Sequence, residues 1–168
     1  MIPAADRDPM PTYSNGQDWL SSWWPPDDKP VGIPHGATGI CVTAADELIL
    51  ISENGTGWGF PGGRPEAGED DEDTLRREVW EESCAVVVTA RLLGYGRGEC
   101  VRGRQLGEVL VRSFWRADVD LKPWRPEFEI AHRKVVPTSE ATRWLDERTE
   151  TETRMSLRAL HEAGITSD

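Results

Sequence analysis

Glu78, Glu81 and Glu82 crowd the end of a segment, "DEDTLRREVWEES", whose pattern predicts a helix over residues 71–83. With roughly 100° per residue, the three carboxylates share an arc of about 100°. Like charges at such spacings each cost roughly 0.2–0.5 kcal/mol, and the negative end of the helix dipole opposes them further. A chain that keeps them must compensate them, and a hard divalent cation held by oxygen ligands would do so. Val79 points toward a core on one flank, which leaves the carboxylates partly sheltered. The competing reading is a solvated acidic face.

The preceding stretch, "ENGTGWGFPGGRPEAGE", holds six glycines and two prolines and reads as a loop whose backbone can approach a ligand closely. Asp70 or Asp71 is the expected cap of the helix that follows, and its acidic first turn suits the dipole. Strand-forming runs lie on both sides. "ATGICVT" and "ELILIS" read as a hairpin, while "AVVVTARLLGYG", "EVLVRSFWRADV" and "AHRKVV" are three further candidates. Two helical patterns close the chain, near "SEATRWLDE" and "TETRMSLRALHEAG".

Length and charge narrow the function. The 168 residues suit one domain, read as residues 17–168 behind a flexible lead-in at residues 1–16 that is rich in proline and small polar residues. Nineteen basic against thirty acidic residues, a net charge of −11, argue against a nucleic-acid partner. Cys41, Cys84 and Cys100 show no paired spacing, no apolar run approaches a membrane span, and the first residues lack the apolar core of a signal peptide. The expectation is a cytoplasmic protein with no membrane partner. "DWLSSWW" places Trp19, Trp23 and Trp24 at near-helical spacing. It reads as a short helix packing on the domain or on a second subunit, which admits a homodimer, with base stacking as the alternative. Trp58, Trp115 and Trp124 carry the same two readings.

Taken together, Gly63, Glu69, Arg77, Glu78, Val79, Glu81 and Glu82 resemble the signature of the Nudix hydrolases, MutT-like proteins in which Gly, five residues, Glu, seven residues and Arg-Glu lead into a paired Glu-Glu. Every charged position matches. Cys84 stands where that pattern has glycine and Ala85 where it has a larger aliphatic, so the helix end is expected to be shaped differently.

The resemblance implies an α+β fold, a mixed β-sheet packed between α-helices. It also implies Mg²⁺-dependent (or Mn²⁺-dependent) hydrolysis of a nucleoside diphosphate linked to another moiety. Glu78, Glu81 and Glu82 would ligate metal together with backbone oxygen at Gly63, and Arg77 would orient Glu69 and Glu81 by ion pairing. A general base is sought outside the motif, at Glu127 or Glu129. Arg97, Arg102 and Arg104, in what reads as a glycine-rich loop, are candidates for phosphate contacts. The alternative function is a weak or inactive Nudix-like domain that binds a nucleotide metabolite as a regulator.

Overall fold

Alternation of apolar residues drives the architecture, because Ile40 and Val42 face one side of a strand and Cys41 the other. The computed structural model describes residues 8–145 and 150–166. Its strands are β1 (Met10–Ser14), β2 (Gln17–Trp24), β3 (Ile33–Thr43), β4 (Glu47–Ser52), the short β5 (Gly62–Gly63), β6 (Ala85–Arg102), β7 (Val109–Leu121) and β8 (His132–Pro137). The helices are α1 (Asp71–Ser83), α2 (Ala141–Trp144), preceded by a 3-10 turn at Thr138–Glu140, and α3 (Glu150–Glu162).

The sheet runs β1-β2-β6-β7-β3-β4-β8, with β5 paired to β3 off this path. β3 and β7 are parallel and the other pairs antiparallel, so the sheet is mixed. Leu75 and Val79 of α1 bury against Ala37, Cys41 and Ile49 on one face. On the other face, Ala159 and Leu160 of α3 join Trp23, Ile40, Leu48 and Leu50. The sheet therefore lies between α1 and α3, as the α+β expectation had it. Among the described residues no helix is long and apolar enough to cross a membrane.

Three expectations are corrected. Residues 10–14 of the supposed flexible lead-in form β1, because Asn15 and Gly16, both at positive φ (50° and 75°), make the tight turn that folds them back on β2. Residues 1–7 of that lead-in lie outside the described residues. The "DWLSSWW" segment is a strand and not a helix, since Trp19, Ser21 and Trp23 alternate onto one face. Trp23 is buried there, with its ring 5.2 Å from Phe114. Finally, β6 extends to Arg102, so Arg97 and Arg102 stand on a strand and only residues 103–108 form the turn.

The end of α1 keeps the form a glycine would give it. Cys84 itself takes the left-handed conformation (φ 52°, ψ 44°), and its N–H donates to the Trp80 carbonyl at 3.0 Å. The buried thiol donates to the Arg125 carbonyl at 3.5 Å. Holding a non-glycine residue there costs roughly 1–2 kcal/mol. Cys84→Val preserves most of the buried volume but adds β-branching, which tolerates this conformation worse. Its unfolding midpoint in urea should fall by the equivalent of about 1 kcal/mol or more, and an unchanged midpoint would mean that the helix end relaxes.

Candidate active site

The start of α1 is fixed by Asp70, whose carboxylate accepts from the Asp73 N–H at 2.8 Å while Asp73 accepts from the Asp70 N–H at 3.2 Å. Thus anchored, the helix presses on β3 and β5 through glycines. A Cβ on Gly39 would lie 2.9 Å from Leu75, and one on Gly63 would lie 2.4 Å from the Glu78 carboxylate. Any side chain at Gly63 would occupy the space that Glu78 fills. The neighbouring Gly62 N–H donates to Glu82 Oε1 at 3.0 Å.

Arg77 gathers the remaining carboxylates. Its Nε and Nη2 form a two-pronged pair with Glu69 at 2.7 and 2.9 Å, Nη1 reaches Glu78 at 2.8 Å and Glu81 at 3.2 Å, and Nη2 also donates to the Arg64 carbonyl at 2.9 Å. Glu69 accepts further from the Glu66 N–H and the Thr74 hydroxyl. Arg77 above all, and then that N–H, hold the Glu69 carboxyl down to about 2. Because the folded value lies below the ordinary one near 4.5, this group's contribution is full above about 4.5 and drains as the pH falls toward about 2. Glu69→Gln should therefore lower the melting temperature near neutral pH and lose less between pH 4.5 and 2 than the parent does. Parallel acid profiles of the two proteins would remove Glu69 from this account.

Glu82 behaves oppositely. It is 8% exposed, and burial first, with Glu78 and Glu129 adding repulsion, pushes its carboxyl up to about 8 against the pull of the Gly62 N–H. Two carboxylates forced together in a sheltered spot, of which Glu82 has a backbone N–H and no cation as its hydrogen-bond partner among the described residues, form an oxygen-only donor set that fits a hard divalent cation. Among the described residues, no three carboxylate, imidazole or thiol side chains already converge on one ion position, because Arg77 draws Glu81 and one oxygen of Glu78 aside. Cys41, whose thiol burial and Glu82 push up to about 12, is a core residue and no nucleophile at neutral pH.

A cleft of about 1030 Å³ opens on the Arg64 and Arg112 side of the cluster, and Glu69, Glu78, Glu81 and Glu82 are not among the residues that line it. Its walls include Arg64, Arg97, Arg104 and Arg112, a concentration of positive charge in an acidic protein. Among the described residues Arg112 donates only to neutral oxygens, Thr38 Oγ1 at 3.0 Å and the Ala37 and His35 carbonyls at 3.4 Å. Burial and the nearby Arg64 lower its pKa, while Glu82 and Glu78 raise it, so it stands within electrostatic reach of both carboxylates. Among the described residues, Arg64, Arg104 and Arg112 have no carboxylate partner.

Of the arginines expected to contact phosphate, Arg97 and Arg104 line the cleft, Arg97 at 3.6 Å from Glu99. Arg102 does not line it, because its side chain is tied to Asp18 across the β2–β6 pair. Glu127 and Glu129 sit exposed in the 122–131 connection, Glu129 close enough to raise Glu82 and Glu127 beside Glu81 and Trp80 in a smaller hollow. Arg64 and Arg112 escaped the sequence reading. An arginine inside the apolar run "VLVRSF" was the available signal for Arg112.

A family model described as the NUDIX domain matches residues 33–159. Solved structures agree on the fold. The Bacillus subtilis pyrophosphohydrolase BsRppH, solved as a point mutant, is 23% identical over 92% of this chain and 98% of its own, with a TM-score of 0.66. The NUDIX domain of Shewanella oneidensis NrtR, solved with ADP ribose, is 15% identical over 81% and 91%, with a TM-score of 0.57. The MutT protein of Bacillus halodurans is 18% identical over 73% and 80%, with a TM-score of 0.54.

Proposed function

Because the chain belongs to the Nudix family, we propose that it is a metal-dependent hydrolase of a phosphoanhydride bond in a nucleoside diphosphate linked to another moiety. The observation that carries this reading is the crowding of the half-buried Glu78 against the buried Glu82, which holds the Glu82 carboxyl well above its ordinary range, next to an arginine-lined cleft. Glu78, Glu81 and Glu82, with backbone oxygen at Gly63, would hold Mg²⁺ or Mn²⁺. That ion would supply charge neutralisation of the phosphates and a more acidic attacking water.

The chain's own residues do the rest. Arg112 and Arg64 grip the phosphate nearest the carboxylates and Arg97 and Arg104 steer the anion into the cleft, a small target that four arginines can serve despite the net charge. Arg77 holds Glu69, Glu78 and Glu81 in register. For the base that removes the water's proton we favour Glu129 over Glu127, since its charge is felt at Glu82. Three buried free thiols support a reducing, cytoplasmic setting, and the substrate is a small nucleotide derivative.

The test is phosphate release, coupled to a phosphatase, across nucleoside triphosphates, oxidised nucleotides, ADP-ribose, nucleotide sugars and dinucleoside polyphosphates, with and without Mg²⁺. Turnover of one class only with metal is the expected result. No turnover, with a panel member nevertheless raising the melting temperature, would replace the enzyme by a regulatory binding domain.

A further inference from the structure

A second, smaller hollow of about 350 Å³ also borders the carboxylate cluster, and it shares no lining residue with the arginine-lined cleft. Glu81 joins it to the cluster, because Arg77 Nη1 holds Glu81 at 3.2 Å and Glu78 at 2.8 Å. One wall is the C-terminal end of α1, with Trp80 and Cys84, and the other is the 122–128 stretch that follows β7. These walls are tied together. The Lys122 N–H donates to the Cys84 carbonyl at 2.9 Å, and the Cys84 thiol to the Arg125 carbonyl at 3.5 Å. Arg133 donates to the Ser83 and Lys122 carbonyls at 2.8 and 2.9 Å, which supplies the positive charge that the last turn of α1 lacks. The hollow is therefore formed by the fold itself.

Its side chains are unengaged. Trp80 is 50% exposed and Phe128 49%. Among the described residues no ring stacks on either of them and no cation sits over either, and the Trp80 indole N–H has no hydrogen-bond partner. Lys122, Arg125 and Glu127 likewise form no ion pair among the described residues, although both signs of charge are present. Lys122 and Arg125 balance Glu81 and Glu127, so the lining as a whole is neutral.

We infer that this hollow seats a sugar ring as the second moiety of the substrate, which makes that substrate a nucleoside diphosphate sugar. A sugar meets each feature of the lining. Its C–H face packs on an indole, its rim of hydroxyls both donates and accepts hydrogen bonds, and it carries no charge. An anionic moiety would face Glu81 and Glu127 together with the two cations and gain little from them. The size agrees, since small-molecule sites run from roughly 300 to 1,000 Å³ and one ring needs only the lower end. Because Glu81 belongs to hollow and cluster alike, a sugar placed here puts its attached diphosphate at the carboxylates. That the ligand is a nucleoside diphosphate rests on the hydrolase reading above, whereas the sugar seat is read by binding alone.

The experiment is calorimetric titration of the full chain, free of metal, with UDP-glucose, GDP-mannose and ADP-ribose. Each is compared with the methyl ester of the same nucleoside diphosphate, which keeps the charge and removes the ring. Packing on an aromatic face plus a few hydrogen bonds contributes roughly 10-fold in affinity. At least one sugar diphosphate should therefore bind about 10-fold tighter than its methyl ester. Trp80→Ala and Phe128→Ala each remove one half-exposed ring, and Trp80→Ala should bring the two affinities within about 2-fold while methyl ester binding stays as it was. Trp80→Phe should keep most of the preference. Equal affinities in the parent, no binding of any sugar diphosphate, or a preference that survives both alanine substitutions would overturn the seat. So would diadenosine diphosphate binding tighter than every sugar compound, because a second nucleoside would then be the occupant. A sugar preference that Trp80→Ala removes, in a protein that hydrolyses nothing, sinks the hydrolase reading alone. Turnover with no sugar preference in binding sinks the seat alone.

Discussion

Glu82→Gln should leave the fold intact, lower turnover at least about 100-fold and abolish most of the rise in melting temperature that Mg²⁺ gives the parent. The side chain is nearly isosteric and its amide oxygen can still accept the Gly62 N–H, so the packing of α1 on β5 survives. What disappears is charge. Several kcal/mol of transition-state stabilisation depend on a cation that this carboxylate is proposed to hold, and a neutral amide cannot hold it as well.

A pH signature separates that loss from simple damage. The Glu82 carboxyl is pushed up to about 8, above its ordinary value near 4.5, so the metal-free native state binds the proton more tightly than the unfolded chain. Stability from this group is then highest at low pH and falls as the pH rises through about 8. Without metal, Glu82→Gln should match the parent near pH 5 and exceed it in melting temperature near pH 9. A variant that is less stable at both values has been damaged elsewhere, and one with nearly full turnover would take Glu82 out of the metal site.

How far these residues could be read in advance depended on how local their signals were. α1 was legible with its boundaries because a capping box, an acidic first turn and a run of helix formers agree within a few residues. The carboxylate cluster was legible for the same reason, since helical spacing alone puts Glu78, Glu81 and Glu82 on one side. β2 was misread because Trp19, Trp23 and Trp24 fit a helical period as well as a strand's, and the Asn15-Gly16 turn that decides between them was passed over. Arg112 was out of reach for a different reason. Its partners on β3 lie more than seventy residues away, and only the parallel β3–β7 pairing brings them together. The reverse happened at Arg102, where a charge that looked free in sequence was neutralised by Asp18 across a strand pair.

Arg77 offers the other large effect, because among the described residues it is the cation hydrogen-bonded to Glu69, Glu78 and Glu81 together. Lysine in its place keeps the charge but supplies a compact ammonium that cannot span Glu69 with two parallel bonds while also reaching Glu78 and Glu81. If charge alone mattered, Arg77→Lys would work almost as well as the parent. If the planar fork is what holds Glu69, Glu78 and Glu81 in register, displacements of even about 1 Å should lower turnover about 100-fold, and the melting temperature should fall with it. Arg77→Met distinguishes orientation from competition. Its loss leaves Glu78 and Glu81 without their arginine, so Mg²⁺ should raise the melting temperature of this variant by more than it raises that of the parent, even as turnover collapses. A cation that stabilised the methionine variant less than the parent would mean that Arg77 helps to build the metal seat, and does not compete with the ion for its ligands.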